Sequence, residues 1–181
     1  MYWNLAIYLS ALMLSLSLAG TSQKRVLAFD IVRNEKTLGK ILFSQISSGK
    51  TDSLNMECKV NAKLVFSFTA EARETAVFND GVLVQSSIYR KMNGTEKANK
   101  SQRATIRKYV IADGKKSKEI NIHPITYNML SLYSNEPVNI SQVYSDNFES
   151  MVPIERIQNH QYKVTLPDKS YNCYWYTDGT L

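Results

Sequence analysis

The feature that most constrains this chain is a long alternation of apolar and polar side chains over residues 54–78. Every second residue there is apolar or cysteine except Glu74, and most residues between them are polar or charged. A period of two is typical of a β-strand with one face buried and the other in water. At about 3.3 Å per residue the stretch would extend roughly 80 Å, several times an ordinary strand. We therefore predict that it breaks near residues 61–66 into two strands of one strongly curved sheet.

Turn signals recur along the rest of the chain, between short segments rich in Val, Ile, Tyr, Phe and Thr. Asn-Gly and Asp-Gly favour tight hairpins, because these turns need positive φ at their central residues. The pattern predicts a single mainly β domain over residues 20–181, a curved antiparallel sheet that forms a half-barrel or open barrel meander. The clearest turns are NDG at 79–81, MNGT at 92–95 and ADGK at 112–115.

Residues 123–133, HPITYNMLSLY, predict one short helix on the concave side of the sheet. Pro124 suits the first helical position, where its missing N–H is not needed. Ile125, Met129 and Leu132 would then form one apolar stripe facing the sheet. This helix would cover part of the concave apolar face.

The last strand signal is the aromatic segment YNCYWY at 171–176, which is followed by Asp178-Gly179. A hairpin turn brings back a second strand, yet only Thr180 and Leu181 follow it. The pattern predicts either a domain that lacks its last strand or an aromatic strand at a sheet edge.

Residues 1–19 have the pattern of a secretory signal peptide, with no charged residue before Lys24 and an apolar block over 5–19. This block is shorter than the roughly 20 residues that span a bilayer. Position 21 is Thr, where a lipoprotein signal would need cysteine. We predict a periplasmic or secreted monomer that is not lipid-anchored and has no transmembrane span after cleavage.

Two cysteines, Cys58 and Cys173, leave two alternatives open. In an oxidising compartment they could form a disulfide that closes a long loop. Alternatively they are free thiols that pack as small apolar side chains.

Catalytic and metal-binding motifs are not found in the sequence. It has two histidines, His123 and His160, and no HExxH, GxSxG, P-loop or CxxC. We predict a protein that is not an enzyme and that takes no cofactor or metal. Glu74, alone on the apolar face, is either a carboxylate with a raised pKa in a cavity or the partner of an arginine. The candidate ligand-binding residues are Phe66, Phe68, Glu74, Met129, Tyr174 and Trp175.

Positive charge is concentrated in residues 90–118, which hold ten basic and two acidic residues, whereas the whole chain has a net charge of +6. Such a surface would attract lipid head groups or acidic glycans, or it is simply a solvated sheet face. No nucleic-acid-binding motif occurs, so nucleic acid is not an expected partner. The predicted anion-binding residues are Arg103, Arg107, Lys108, Lys115 and Lys116.

Several segments together resemble a family of uncharacterised exported bacterial proteins, known as a domain of unknown function. The matching segments are KLVFSF, FNDGVL, PITY before a short helix, VYS, VPI, TLPD and a tyrosine-rich strand. By fold-level analogy the resemblance implies periplasmic proteins with curved β-sheets that hold apolar ligands. It implies that the protein binds an apolar or amphipathic ligand in its groove, with a lipid or envelope component as partner. The alternative is a non-catalytic structural or interaction protein of the cell envelope whose core is filled by its own side chains.

Overall fold

The computed structural model describes residues 22–181, apart from residues 34, 64–66 and 123. The predicted signal peptide at 1–19, Phe66 and His123 lie outside the described residues. Within them the chain forms twelve strands and one short helix. The strands form two antiparallel sheets, and each sheet pairs its strands in chain order.

The large sheet has eight strands and the small sheet has four. The large sheet contains β1 (Gln23–Arg33), β2 (Lys36–Ser48), β3 (Thr51–Lys63), β4 (Ser67–Asn79), β5 (Val82–Met92), β6 (Thr95–Ala104), β7 (Tyr109–Asp113) and β8 (Lys116–Ile120). Helix α1 (Ser131–Ser134) follows, and the small sheet contains β9 (Gln142–Ser145), β10 (Ser150–Gln158), β11 (Gln161–Thr165) and β12 (Tyr171–Trp175).

The alternating stretch forms the β3–β4 hairpin, as predicted. Strand β3 ends at Lys63 and β4 begins at Ser67, so the break falls inside the predicted range. The register pairs even positions with even positions, as in Leu54 with Ala76. Apolar side chains of both strands therefore share one face, and the residues between them point to solvent. The prediction of a mainly β, open antiparallel meander is confirmed, although the sequence did not reveal that the strands divide into two sheets.

The predicted helix is much shorter than expected, because α1 covers only Ser131–Ser134. Residues 124–130, called the strap below, are instead a non-helical segment over 124–128 followed by a turn at Met129 and Leu130, and they cross the concave face of the large sheet. The backbone of the strap bonds to neighbouring strands: the N–H of Leu83 donates to the carbonyl of Ile125 at 2.8 Å, and that of Met129 donates to the carbonyl of Tyr144 at 3.0 Å. Because these groups are already bonded to other strands, they are not available for bonds within a helix. The prediction of a helix over 124–130 was wrong.

Apolar side chains pack between the two sheets in two adjoining clusters. One cluster, on the large sheet, includes Phe43, which is completely buried, and the other, on the small sheet, includes Leu132. Tyr133 of α1 joins them, since its ring stacks on Phe43 at 5.7 Å and meets Tyr174 edge-on at 6.4 Å. The helix thus lies between the sheets, on the concave side as predicted.

Strand β2 passes very close to the backbone of β3 at Gly39. A Cβ atom at this position would lie 2.1 Å from the carbonyl oxygen of Lys59 and 2.8 Å from Cα of Val60. The β1–β2 register shifts beside it, between Ile31 and Val32. A β-bulge of this kind bends a strand and increases its twist, so this is a point where the sheet curves.

The Asp-Gly turn near the end of the sequence closes as a two-residue hairpin. Asp178 and Gly179 have φ of 52° and 73°. Thr177 and Thr180 exchange two backbone hydrogen bonds, of 2.8 and 3.0 Å. Strand β12 lies at an edge of the small sheet.

Candidate functional site

A cavity of about 200 Å³ lies between the sheets. Its floor comes from β3, β4 and β5 of the large sheet, and its roof from the strap, α1, the segment after β9, and β12. Apolar and polar side chains are mixed in its lining, which suits a ligand with both characters. The apolar lining comes from Met56, Ile88, Met129, Leu130, Tyr133, Phe148, Leu166 and Tyr174, and the polar lining from Glu74, Arg90, Ser145, Asp146, Asn147 and Asn172.

An ion pair between Glu74 and Arg90 lies on the cavity floor. Arg90 Nη2 is 2.5 Å from Glu74 Oε1, and Arg90 Nε is 3.2 Å from the same oxygen. Glu74 is buried, whereas the Arg90 side chain is 39% exposed. A buried carboxylate without such a partner would be strongly destabilising. The arginine-pairing alternative for Glu74 is therefore the one that the structure shows.

A second carboxyl group, Asp146, lines the same cavity at a junction of three elements. Ser86 Oγ on β5 donates to its Oδ1 at 2.5 Å, and Asn128 Nδ2 on the strap donates to its Oδ2 at 3.0 Å. Burial raises the pKa of Asp146 to about 6, with the charge of Glu74 adding to the rise and the hydrogen bonds opposing it. Carboxyl groups with raised pKa values in cavities are common at binding sites.

We expect Asp146 to make the protein less stable as the pH rises from about 4 to about 7. Its pKa is higher in the folded protein than the ordinary 3.8, so folding favours the protonated form. That stabilisation is complete below the unfolded pKa and is lost as the pH rises through about 6. The change is on the order of 2 kcal/mol once partial exposure is allowed for.

Urea unfolding of the wild type and of Asp146→Asn across this pH range measures the effect. The difference between the two curves isolates Asp146, because all other groups are common to both. The substitution Asp146→Asn places an amide opposite the Asn128 amide, so the variant is less stable overall. The difference in the free energy of unfolding between the wild type and this variant should nevertheless shrink as the pH rises. A difference that stays constant with pH would contradict the prediction.

Two tyrosines close the cavity on the roof side. Burial raises the pKa of Tyr133 to about 12, and burial also raises the pKa of Tyr174. Both rings therefore stay uncharged at physiological pH. The roof is an aromatic surface that carries no negative charge of its own.

The structure brings together three of the predicted ligand-binding residues, Glu74, Met129 and Tyr174. It separates Trp175 from them, because neighbouring residues of a strand point to opposite faces and Trp175 is 57% exposed. Phe68 is paired with Ala62 near residues 64–66, away from the cavity lining.

Sequence reasoning missed Arg90, Asp146 and Tyr133 as parts of this site. Arg90 was counted only among the basic residues of 90–118, because its position beside Glu74 depends on the β4–β5 register. Asp146 follows the VYS segment in an ordinary turn, so its burial could not be read from the sequence. Tyr133 was treated only as the end of the predicted helix.

The two cysteines are free thiols in the structure. Cys58 shares the concave face of β3 with Met56, and burial raises its pKa. Cys173 points away from Tyr174 on β12, toward the opposite face of the small sheet. The free-thiol alternative is therefore the arrangement that the structure shows.

The predicted anion-binding residues do not form one cluster. Arg103, Arg107 and Lys108 lie at or near the β6–β7 loop, whereas Lys115 and Lys116 lie at the other end of β7, about 16 Å away. Lys108 also pairs with Glu119 of β8. Elsewhere in the basic segment, Lys100 and Lys118 both bind the Glu149 carboxylate, which lowers its pKa. Part of the positive charge is therefore neutralised within the fold.

In the part of the chain that the structure describes, no three His, Cys, Asp or Glu side chains are grouped to hold a metal ion. Nor does any described helix have the length and apolar character needed to cross a bilayer.

Fold and site together define a two-sheet antiparallel β protein with a mixed apolar and polar cavity between its sheets. A family model described as "Domain of unknown function (DUF6134)" matches residues 29–181, and the chain belongs to this family. The resemblance to an uncharacterised family is thereby confirmed. Neither the curated proteins nor the solved structures contain a match to this chain.

Proposed function

We propose that this protein binds a small amphipathic ligand in the cavity between its two sheets. The observation that carries the proposal is the position of Arg90, whose side chain is 39% exposed and which lines the partly open cavity beside an apolar strip of the same sheet face. A polar group at the boundary of apolar surface is the usual means by which a pocket orients an amphipathic molecule.

The apolar strip follows from the register of β3, β4 and β5. Cys58 and Ala72 lie beside Arg90 in one row across these strands, and the next row contains Val60, Ala70 and Met92. The five residues of these two rows other than Arg90 are all at least partly exposed, and Met92 is 42% exposed. The strip leads from the cavity along β4 toward Phe68 and can hold an alkyl chain.

Charge and volume narrow the class of ligand. The cavity of about 200 Å³ is smaller than the roughly 300–1,000 Å³ that encloses a drug-sized molecule. It therefore has room for a head group only, while the alkyl chain lies on the strip. Glu74 and Arg90 neutralise one another, and Asp146 becomes negative as the pH rises through about 6. An uncharged head group with hydroxyl or amide groups fits this balance better than an anionic one.

Affinity for monolauroylglycerol, followed by tyrosine fluorescence, tests the proposal. The substitution Ala72→Phe places a ring on the strip beside Arg90, and we expect it to weaken binding about tenfold or more. The matched control is Thr69→Phe, on the exposed outer face of the same strand, which should bind like the wild type. Melting temperatures of both variants show whether each is folded. Equal affinity of the two folded variants would contradict the proposed site.

Native mass spectrometry of protein recovered from its own cells separates binding from a purely structural role. A co-purified molecule of amphipathic mass supports the proposal. A protein free of ligand that also fails to bind monolauroylglycerol would favour the alternative, a structural envelope protein. That alternative has a specific observation in its favour, because Tyr133 already fills much of the space between Phe43 and Tyr174.

We also propose that the protein works outside the cytosol, on the strength of the signal-peptide pattern at 1–19. Mass spectrometry of the protein recovered from separate cytosolic and exported fractions tests this location. An exported chain that begins at Gly20 is expected, and a cytosolic chain that retains residues 1–19 would contradict it.

A further inference from the structure

We infer that the β6–β7 loop, residues 105–108, docks this protein on an anionic phospholipid surface. The loop is a tight turn, in which both the N–H and the Oγ1 of Thr105 donate to the carbonyl of Lys108 at 2.8 Å. Ile106 and Arg107 form its tip, and Ile106 is 100% exposed. A well-defined turn therefore holds an aliphatic side chain and a cation side by side, outside the fold.

The charge near the tip comes mainly from two arginines. Arg107 is part of the tip, and Arg103 points outward from the end of β6. Neither has an acidic side chain within ion-pair distance among the described residues. Two lysines at this end of the meander are paired with carboxylates, Lys108 with Glu119 and Lys50 with Asp80 at 2.9 Å. Lys50 and Asp80 belong to the β2–β3 and β4–β5 turns, which lie at the same end of the meander as this loop.

A hollow of about 370 Å³ lies beside the loop, on the outer face of β5, β6 and β7. Small side chains form its floor, and the Arg103 side chain lies at its rim. An arginine fork can bind two oxygens of one phosphate, so this hollow suits a phosphate-bearing head group. Its other outward-facing lining residues are Gln85, Ser101, Thr105, Val110 and Ala112.

Ile106 favours a lipid surface over an acidic glycan. A fully exposed isoleucine gains free energy by entering an apolar phase, and a glycan offers none. Arginines beside such a residue add electrostatic attraction to anionic head groups. Peripheral membrane proteins commonly combine an inserted apolar side chain with basic residues in this way. The loop projects from the sheet end and the hollow lies on the convex face, whereas the ligand cavity lies on the concave face. This inference therefore stands independently of the proposed ligand.

Co-sedimentation of the full chain with vesicles tests the inference. Vesicles of phosphatidylglycerol mixed with phosphatidylcholine should bind the protein, and binding should weaken as salt is added. Pure phosphatidylcholine vesicles should bind much less. Reversing both arginines (Arg103→Glu with Arg107→Glu) should weaken binding at least about 30-fold, and Ile106→Ser about tenfold.

The matched control reverses Lys115 and Lys116, which carry the same charge at the opposite end of β7. This variant, and Val138→Ser at another exposed apolar site, should bind within about twofold of the wild type, because salt screens charges that lie more than a Debye length from the surface. All these side chains are exposed, so the variants should fold alike, and their melting temperatures verify this. Equal loss in the lysine variant would overturn the inference. So would binding to dextran sulfate that matches vesicle binding and does not depend on Ile106, because that result assigns the surface to an acidic glycan.

Discussion

Replacing Phe43 by alanine should lower the free energy of unfolding by about 3–5 kcal/mol, the range measured for large aromatic side chains in protein cores. Phe43 lies in the middle of β2, is 0% exposed and supports the ring of Tyr133 at 5.7 Å. Its removal therefore leaves a cavity under Tyr133, whose ring contacts both apolar clusters. Urea unfolding followed by tyrosine fluorescence measures the loss.

Leu42 provides the matched control for this experiment. It is the neighbouring residue on β2, faces the other side of the sheet and is 48% exposed. Leu42→Ala should change the free energy of unfolding by less than about 1 kcal/mol. If both variants lost the same stability, the concave face of β2 would not be the buried one. The assignment of the core would then be wrong.

The substitution Gly39→Ala should destabilise the fold by about 3 kcal/mol or more, a large effect for one added methyl group. The new Cβ would lie 2.1 Å from the carbonyl oxygen of Lys59, well inside the contact distance. That oxygen belongs to the backbone of β3, so relief requires moving a strand and not merely a side chain. Amide hydrogen exchange should show the damage localised to the β2–β3 pairing near Val60.

Lys40→Ala is the control for Gly39→Ala, because it introduces the same residue, alanine, at the next position of β2. Lys40 is exposed and pairs with Asp30 across β1 at 3.8 Å. Surface ion pairs of this kind contribute at most about 1 kcal/mol, so this variant should remain close to the wild type. A Gly39→Ala protein as stable as Lys40→Ala would show that the strands are not this close in solution.

Strand periodicity made the large sheet predictable from the sequence. Alternation over residues 54–78 set which face is buried, and the Asp-Gly and Asn-Gly turns placed several of the hairpins. Both signals are local, since each depends only on neighbouring residues.

The strap illustrates what local signals cannot supply. Ile125, Met129 and Leu132 have helical spacing, yet the carbonyl of Ile125 and the N–H of Met129 bond to Leu83 and Tyr144. Those partners are distant in sequence, so the pattern of residues 123–133 could not reveal that these backbone groups bond to other strands and not within a helix. The role of Arg90 could not be predicted for the same reason, because only the β4–β5 register places it beside Glu74.

The order in which the two sheets occur along the chain has a consequence during synthesis. All eight strands of the large sheet precede the strap, and the 55 residues after β8 carry the chain to the end of β12. At roughly 5–20 residues per second, a ribosome needs about 3–11 seconds to make them. A meander that folded during that interval would expose Phe43 and its neighbours to water until β9–β12 were made.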